Sequence, residues 1–168
     1  EGTAVAWQYA MSEKRPVALI LSRQNVNTLP ALSCSRRDEA KQAMKGAYVV
    51  MDSAKAQVVM IASGSEVSTL IEGAEMLQKE GIPVRVVSVP SEGLFRDQSK
   101  EYQAEVLGNL PRYGMTSGLS VNLAGLVGEN GFIHGFDHFG YSAPFKVLDE
   151  KFGYNGTTVA AEVKAMLK

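Results

Sequence analysis

Apolar and polar positions change their spacing along the chain in a way that predicts strands and helices in turn. Stretches rich in aliphatic residues, of strand length, occupy residues 17–21, 47–51, 57–62 and 83–89. The first is typical of a strand covered on both faces, and the third is a stronger strand signal than the second. Between the last two, apolar side chains follow helical spacing and Gly81 ends the pattern; they are Val67, Leu70, Ile71, Ala74 and Leu77. Residues 57–89 therefore predict a β-α-β unit.

The rest of the chain continues this alternation with weaker signals. Short strands are predicted at residues 113–117 and 131–134, and helices at 101–107, 120–126, 143–152 and 158–167. Strands that alternate with helices favour a mainly parallel sheet with helices on both faces. We therefore expect an α/β fold, a three-layer α/β/α sandwich around a mostly parallel, mixed sheet.

The beginning of the chain follows a different pattern. Residues 3–12 predict a short helix, Pro16 ends it, and residues 17–21 predict a buried strand. One helix and one buried strand cannot form a sheet alone, so this unit is interpreted as the end of a preceding domain. Residues 22–38 contain Pro30 and several Ser and Asn, and they predict a linker. The expected division is 1–36 for the remnant and linker, and 37–168 for a complete domain.

Composition narrows the functional classes. Hydrophobic residues make up 45% and charged residues 21%, with 17 basic against 18 acidic side chains and a net charge of −1. This balance gives no electrostatic basis for binding nucleic acid or an anionic membrane. No apolar run approaches the roughly 20 residues of a membrane-spanning helix. The first residues resemble no signal peptide and lack Met, which predicts that the chain begins within a longer protein. The single cysteine, Cys34, suits a reducing compartment and is interpreted as a free thiol in the linker.

Two motifs suggest ligands but have simpler interpretations. Ser63-Gly64-Ser65-Glu66 lies between a strand and a helix, where backbone amides can hold an anion, but it matches no phosphate-binding fingerprint. A capping box formed by Ser63 and Glu66 is the preferred interpretation. His134 and His138 are four residues apart, as in some metal sites. The neighbouring glycines and the absence of a third ligand at a familiar spacing favour hydrogen-bonded loop histidines instead.

Arg23 is the strongest candidate binding residue. It belongs to Ser22-Arg23-Gln24-Asn25, directly after the first predicted strand, and ligands in open α/β sheets bind beyond the carboxyl ends of strands. The planar guanidinium suits phosphate or carboxylate oxygens. A binding role and a structural ion pair remain equally open from the residues alone.

Three segments resemble the transketolase family. Leu19-Ile20-Leu21-Ser22-Arg23-Gln24-Asn25 is similar to the L-x-L-S-R-Q-N segment that ends its pyrimidine-binding domain. Ile61-Ala62-Ser63-Gly64-Ser65-Glu66-Val67 resembles the A-S-G-S-E-V stretch that opens its C-terminal domain. Phe139-Gly140-Tyr141-Ser142-Ala143-Pro144, followed by Phe152-Gly153, resembles its F-G-x-S-A-P…F-G ending. The matches occur in order and span nearly the whole chain.

The resemblance implies a Rossmann-like C-terminal domain and a parent enzyme that transfers a two-carbon ketol unit between sugar phosphates. It also implies thiamine diphosphate and a divalent metal (Mg or Ca), a homodimer and a cytoplasmic location. The Arg of S-R-Q-N contacts the sugar phosphate in the family, so this role is expected of Arg23. No catalytic, cofactor-binding or metal-binding residue is expected in this chain, which alone should be inactive. The alternative is an assembly or small-ligand-sensing α/β domain of a related thiamine diphosphate enzyme.

Overall fold

The computed structural model describes residues 2–22, 24–33 and 35–168. Five strands run through it: β1 Tyr48–Met51, β2 Val58–Ala62, β3 Val84–Ser88, β4 Arg112–Met115 and β5 Phe132–His134. A 3₁₀ helix covers Lys41–Lys45. The α-helices are α1 Gly2–Ser12, α2 Arg36–Ala40, α3 Glu66–Lys79, α4 Glu92–Arg96, α5 Lys100–Leu107, α6 Val121–Val127, α7 Phe145–Phe152 and α8 Gly156–Met166.

The strands form one mixed sheet in the order β1-β3-β2-β4-β5. β2 pairs in parallel with both β3 and β4, and β5 pairs in parallel with β4. β1 is the antiparallel edge strand and contains an irregularity between Val49 and Met51. The chain therefore crosses from one side of β2 to the other after β3, which confirms the mostly parallel, mixed sheet expected from the sequence.

Helices cover both faces of this sheet. One face packs against α3 and α8, and the other against α4, α5 and α6. β2 supplies side chains to both layers and its five residues are fully buried, as its uninterrupted apolar sequence predicts. The three-layer α/β/α sandwich is thus confirmed, and β2 lies at its centre.

Two glycines allow α3 and α8 to approach each other closely. A Cβ added at Gly73 would lie 2.5 Å from Val159 Cγ1, and one at Gly156 would lie 2.8 Å from Glu72 Cβ. Neither position has space for a larger side chain. This close packing fixes α8 on the sheet, and α8 carries Glu162, a residue of the site described below.

The predicted strand at residues 17–21 is wrong for this chain. The segment belongs to none of the strands, and Ile20 is 96% exposed. A strand requires a neighbour that accepts its backbone hydrogen bonds, and none of the described residues pairs with it. The predicted helix before it is confirmed as α1.

The sequence also missed two short helices, α2 and α4. Each begins after a serine whose hydroxyl accepts from a backbone amide three residues later: Ser35 from Asp38, and Ser91 from Leu94. Such capping is a recognisable signal. Neither helix is long enough to show an apolar period. Within residues 2–22, 24–33 and 35–168, none of the helices has the length and apolar character required to span a bilayer.

Candidate functional site

Arg23 lies outside the described residues, but its neighbours border a cleft. Ser22 and Gln24 line a space of about 940 Å³ between the N-terminal segment, defined here as residues 2–29, and the carboxyl ends of β2 and β3. Ser63 and Gly64, which follow β2, line the opposite side. A Cβ added at Gly64 would be 3.2 Å from Ser22 Oγ. Two of the segments selected from the sequence therefore meet here.

A largely buried ion pair within α2 holds the backbone of the preceding residues 32 and 33. Arg36 Nη1 donates to Glu39 Oε2 at 3.1 Å, and the guanidinium carbon lies 5.2 Å from the centre of the Tyr48 ring. Glu39, 4% exposed, also accepts from the backbone amides of Leu32 and Ser33 at 2.7 and 2.9 Å. Arg36 Nη2 is buried and has no hydrogen-bond partner within the described part of the chain. Sequence reasoning assigned no role to this pair.

The capping box predicted for Ser63 and Glu66 is wrong. α3 begins at Glu66 after a turn in which Gly64 has a φ of +60°, so Ser63 lies before the cap position. Ser65 occupies the cap position and its side chain makes no capping hydrogen bond. The 63–66 segment is nevertheless the start of a helix, as the preferred interpretation held.

A hydrogen-bonded cluster beside the edge strand β5 contains His134. Its Nδ1 lies 3.0 and 3.1 Å from the two carboxylate oxygens of Glu162, and its Nε2 lies 2.9 Å from the carbonyl oxygen of Phe152. Tyr113 donates its hydroxyl to Glu162 Oε2 at 2.7 Å. The ring of Tyr154 meets that of His134 edge to face, with 4.9 Å between the ring centres. We refer to His134, Glu162, Tyr113 and the Phe152 carbonyl as the His134 cluster.

Both ring nitrogens of His134 therefore face acceptors, which favours the doubly protonated imidazolium. The hydrogen bond with Glu162 raises the pKa of His134, and burial only partly opposes it. Burial acts to raise the pKa of Glu162, but the hydrogen bonds from His134 and Tyr113 outweigh it and lower that pKa overall. Burial and the bond to Glu162 raise the pKa of the Tyr113 hydroxyl far above its ordinary value. The cluster therefore favours a cation–anion pair of His134 and Glu162 beside a neutral Tyr113 phenol.

The metal site considered for His134 and His138 receives no support. His138 is exposed and its Nδ1 lies 2.9 Å from the backbone carbonyl oxygen of Phe139, and the described residues contain no group of His, Cys, Asp or Glu arranged to hold a metal. The preferred interpretation of hydrogen-bonded histidines is confirmed, although His134 belongs to β5 rather than to a loop. Cys34 lies outside the described residues.

The sequence could not reveal the His134 cluster. His134 and Glu162 are separated by 28 positions, and Tyr113 and Glu162 by 49. Glu162 has the ordinary position of a polar residue on an amphipathic helix. Only the packing of α8 beside β4 and β5 brings these side chains together.

Comparisons with known proteins agree with the fold. A family model described as the transketolase-like C-terminal domain matches residues 46–155. A transketolase of Halalkalibacterium halodurans is 40% identical over 170 residues, which cover 99% of this chain and 25% of that protein. The chain thus spans about a quarter of the length of such curated relatives.

Two solved structures extend these similarities. A transketolase of Pichia stipitis in complex with sedoheptulose-7-phosphate is 27% identical and superimposes with a TM-score of 0.88, covering 99% of this chain and 24% of the other. A split-gene transketolase, described as an inactive β4 tetramer, is also 27% identical, with a TM-score of 0.54 and coverage of 74% and 43%. The chain therefore belongs to the transketolase family, and residues 46–155 match the C-terminal domain of that family.

Proposed function

We propose that this chain acts as the C-terminal part of a transketolase, which transfers a two-carbon ketol unit between sugar phosphates, and that it is inactive by itself. The observation that carries the proposal is the extent of the match: nearly the whole chain aligns, but only with a quarter of each relative. A related structure supports the second part, because the split-gene transketolase is described as inactive in its β4 form.

The proposed complete enzyme uses thiamine diphosphate and a divalent metal, acts as a homodimer and is located in the cytoplasm. The contacts to the cofactor and the metal are proposed to belong to other domains of that enzyme. Residues 1–36 are proposed to be the end of the pyrimidine-binding domain and its linker, and residues 37–168 the C-terminal domain. The exposed aliphatic side chains at residues 20 and 21 support this division, because a strand within a larger sheet would bury them.

A chimaeric enzyme provides a direct test. The C-terminal quarter of the Halalkalibacterium halodurans transketolase would be replaced by this chain, and ketol transfer from sedoheptulose-7-phosphate to an aldose phosphate would be measured. We expect activity in the chimaera and none in the isolated chain supplied with thiamine diphosphate and Mg²⁺. A folded chimaera without activity, or turnover by the isolated chain, would contradict the proposal.

Within this proposal, Arg23 binds the phosphate of the sugar substrate. In the chimaera, Arg23→Ala should raise KM for the phosphorylated acceptor roughly tenfold or more, since a hydrogen bond to a charged group is lost. Arg23→Lys should recover only part of the affinity, because the ammonium lacks the bidentate fork. Arg37→Ala, which removes an exposed guanidinium nearby in sequence, is the matched control and should leave KM unchanged. An unchanged KM in Arg23→Ala would contradict the assignment of Arg23 to phosphate binding.

A further inference from the structure

α7 is among the most weakly packed elements of the molecule. None of its residues is buried, and only Leu148, Asp149 and Phe152 are even partly covered. Elements with so few buried contacts open at low free-energy cost. A contact that fixes the end of α7 therefore has a large influence on whether the helix stays packed against the rest of the molecule.

Two firm contacts flank the region around α7. On one side, Asp137 accepts hydrogen bonds from the backbone amide and the hydroxyl of Ser120. On the other, Tyr154 donates its hydroxyl to the backbone carbonyl of Thr116 at 2.8 Å. Residues 138–152 lie between these anchors, so this segment can open while both of its ends stay attached to the 116–120 loop that follows β4.

His134 makes the contact that ties the end of α7 to the sheet. Phe152 is the last residue of the helix, and carbonyl groups at this position have no partner within a helix. The Nε2 of His134 lies 2.9 Å from this carbonyl oxygen. A cation there also interacts favourably with the helix dipole.

Loss of one proton from His134 would break this particular contact. A neutral imidazole carries a single N–H, and the carboxylate of Glu162 is a stronger acceptor than the carbonyl of Phe152. The remaining proton would therefore stay on Nδ1. The lone pair of Nε2 would then face the carbonyl oxygen, and an attraction would become a repulsion.

We propose that the His134 cluster is a proton-dependent latch, in which protonated His134 holds α7 against the sheet and deprotonation releases residues 138–152. The released segment carries exposed aromatic side chains, including Phe139 at 96% and Tyr141 at 60%. Its opening would change how these side chains are presented to other parts of a larger protein. The inference does not depend on the proposed enzymatic function.

The groups around His134 define the pH range of the latch. Glu162 faces it from α8, Tyr113 reaches it through Glu162 from β4, and Tyr154 lies edge-on beside it. Further charges act on Tyr154 from α3, α7 and the 136–144 loop; they are Glu66, Asp149 and Asp137. Burial and these carboxylates raise the pKa of Tyr154 to about 12, so this hydroxyl stays protonated while His134 titrates.

The sign of the pH effect follows from the two pKa shifts. The pKa of His134 is raised above its ordinary 6.5, so its contribution is complete below that pH and is lost as the pH rises through the raised value. The pKa of Glu162 is lowered from 4.5, so its contribution is complete above that pH and is lost as the pH falls through the lowered value. The latch is therefore closed in mildly acidic solution and opens on the alkaline side.

Hydrogen exchange of the complete 168-residue chain between pH 6 and pH 9 tests this inference. After correction for intrinsic exchange, amides of α7 should lose protection at the higher pH, while amides of α3 should not. His134→Gln should abolish the pH dependence. His138→Gln, which replaces an exposed histidine at the start of the 138–152 segment, should retain it.

A second measurement uses the unaltered chain, so it does not depend on the folding of a variant. The ring nitrogens of His134 in the unaltered chain can be titrated by NMR, with both protonated at pH 6 and Nε2 losing its proton as α7 amides shift. Glu162→Gln should move this midpoint to lower pH. Unchanged α7 protection across the range, or an α7 response in His134→Gln equal to that of the unaltered chain, would overturn the proposal.

Discussion

Residues 17–21 and strand β2 contain similar runs of aliphatic side chains but differ in strand pairing and in burial. β2 is paired on both edges, and its five residues are fully buried. Residues 17–21 form no strand with any described residue, and Ile20 and Leu21 are 96% and 58% exposed. An apolar run therefore determines the tendency to form a strand, whereas neighbouring strands determine whether the strand forms.

The largest difference between these two regions should appear in hydrogen exchange. Amides in β2 open only with most of the molecule, whereas those at residues 18–21 have no ladder to protect them. For a domain of ordinary stability, we expect protection at least about a thousandfold greater in β2. In the chimaeric transketolase, residues 18–21 should gain protection as they join a sheet. Equal protection of β2 and residues 18–21 in the isolated chain would contradict the view that residues 17–21 are unpaired.

Matched isoleucine substitutions should show the same contrast in stability. Ile61 in β2 is fully buried, while Ile20 is almost fully exposed. Ile61→Ala should lower the free energy of unfolding by about 4 kcal/mol, since it removes buried methylenes and leaves a cavity. Ile20→Ala should change it by less than about 0.5 kcal/mol, as is usual for surface positions. Urea denaturation of the three proteins measures both values, and a large effect of Ile20→Ala would show that residues 17–21 are packed in solution.

A smaller effect should appear in the stretch of chain that lies between the two regions in sequence. Glu39 binds the backbone at residues 32 and 33 and pairs with the largely buried Arg36. Glu39→Gln keeps the size of the side chain but removes its charge, and we expect a loss of about 2 kcal/mol, typical of hydrogen bonds to charged groups. The matched carboxylate-to-amide control is Asp38→Asn, which affects exposed contacts with Lys41 and the Ser35 hydroxyl and should produce a much smaller loss. Equal losses of unfolding free energy for the two variants in the same denaturation assay would mean that the Arg36–Glu39 pair does not stabilise this stretch of chain.

Most of the sheet and its helices could be predicted because their signals are local. The apolar period of α3 and the runs at β2 and β3 lie within short windows, and Gly81 with a φ of +82° ends α3 where expected. The predicted cap at Ser63 failed because the positive φ of Gly64 delays the start of the helix. The candidate site was harder to predict from the sequence. Arg23 was identified from a motif and stays a prediction, and the partners of His134 could not be found from spacing.

The sequence alone determined the α/β class, the central β-α-β unit and the transketolase family, because periodicity, turn residues and motifs are contained in short stretches of chain. Tertiary structure decided which apolar run became a strand, since backbone hydrogen bonds require a neighbour distant in sequence. It also decided that His134, Glu162 and Tyr113 share one network, since α8 is fixed on the sheet by its close contact with α3. Their charges and pKa shifts are properties of that packing, not of the residues' order in the chain.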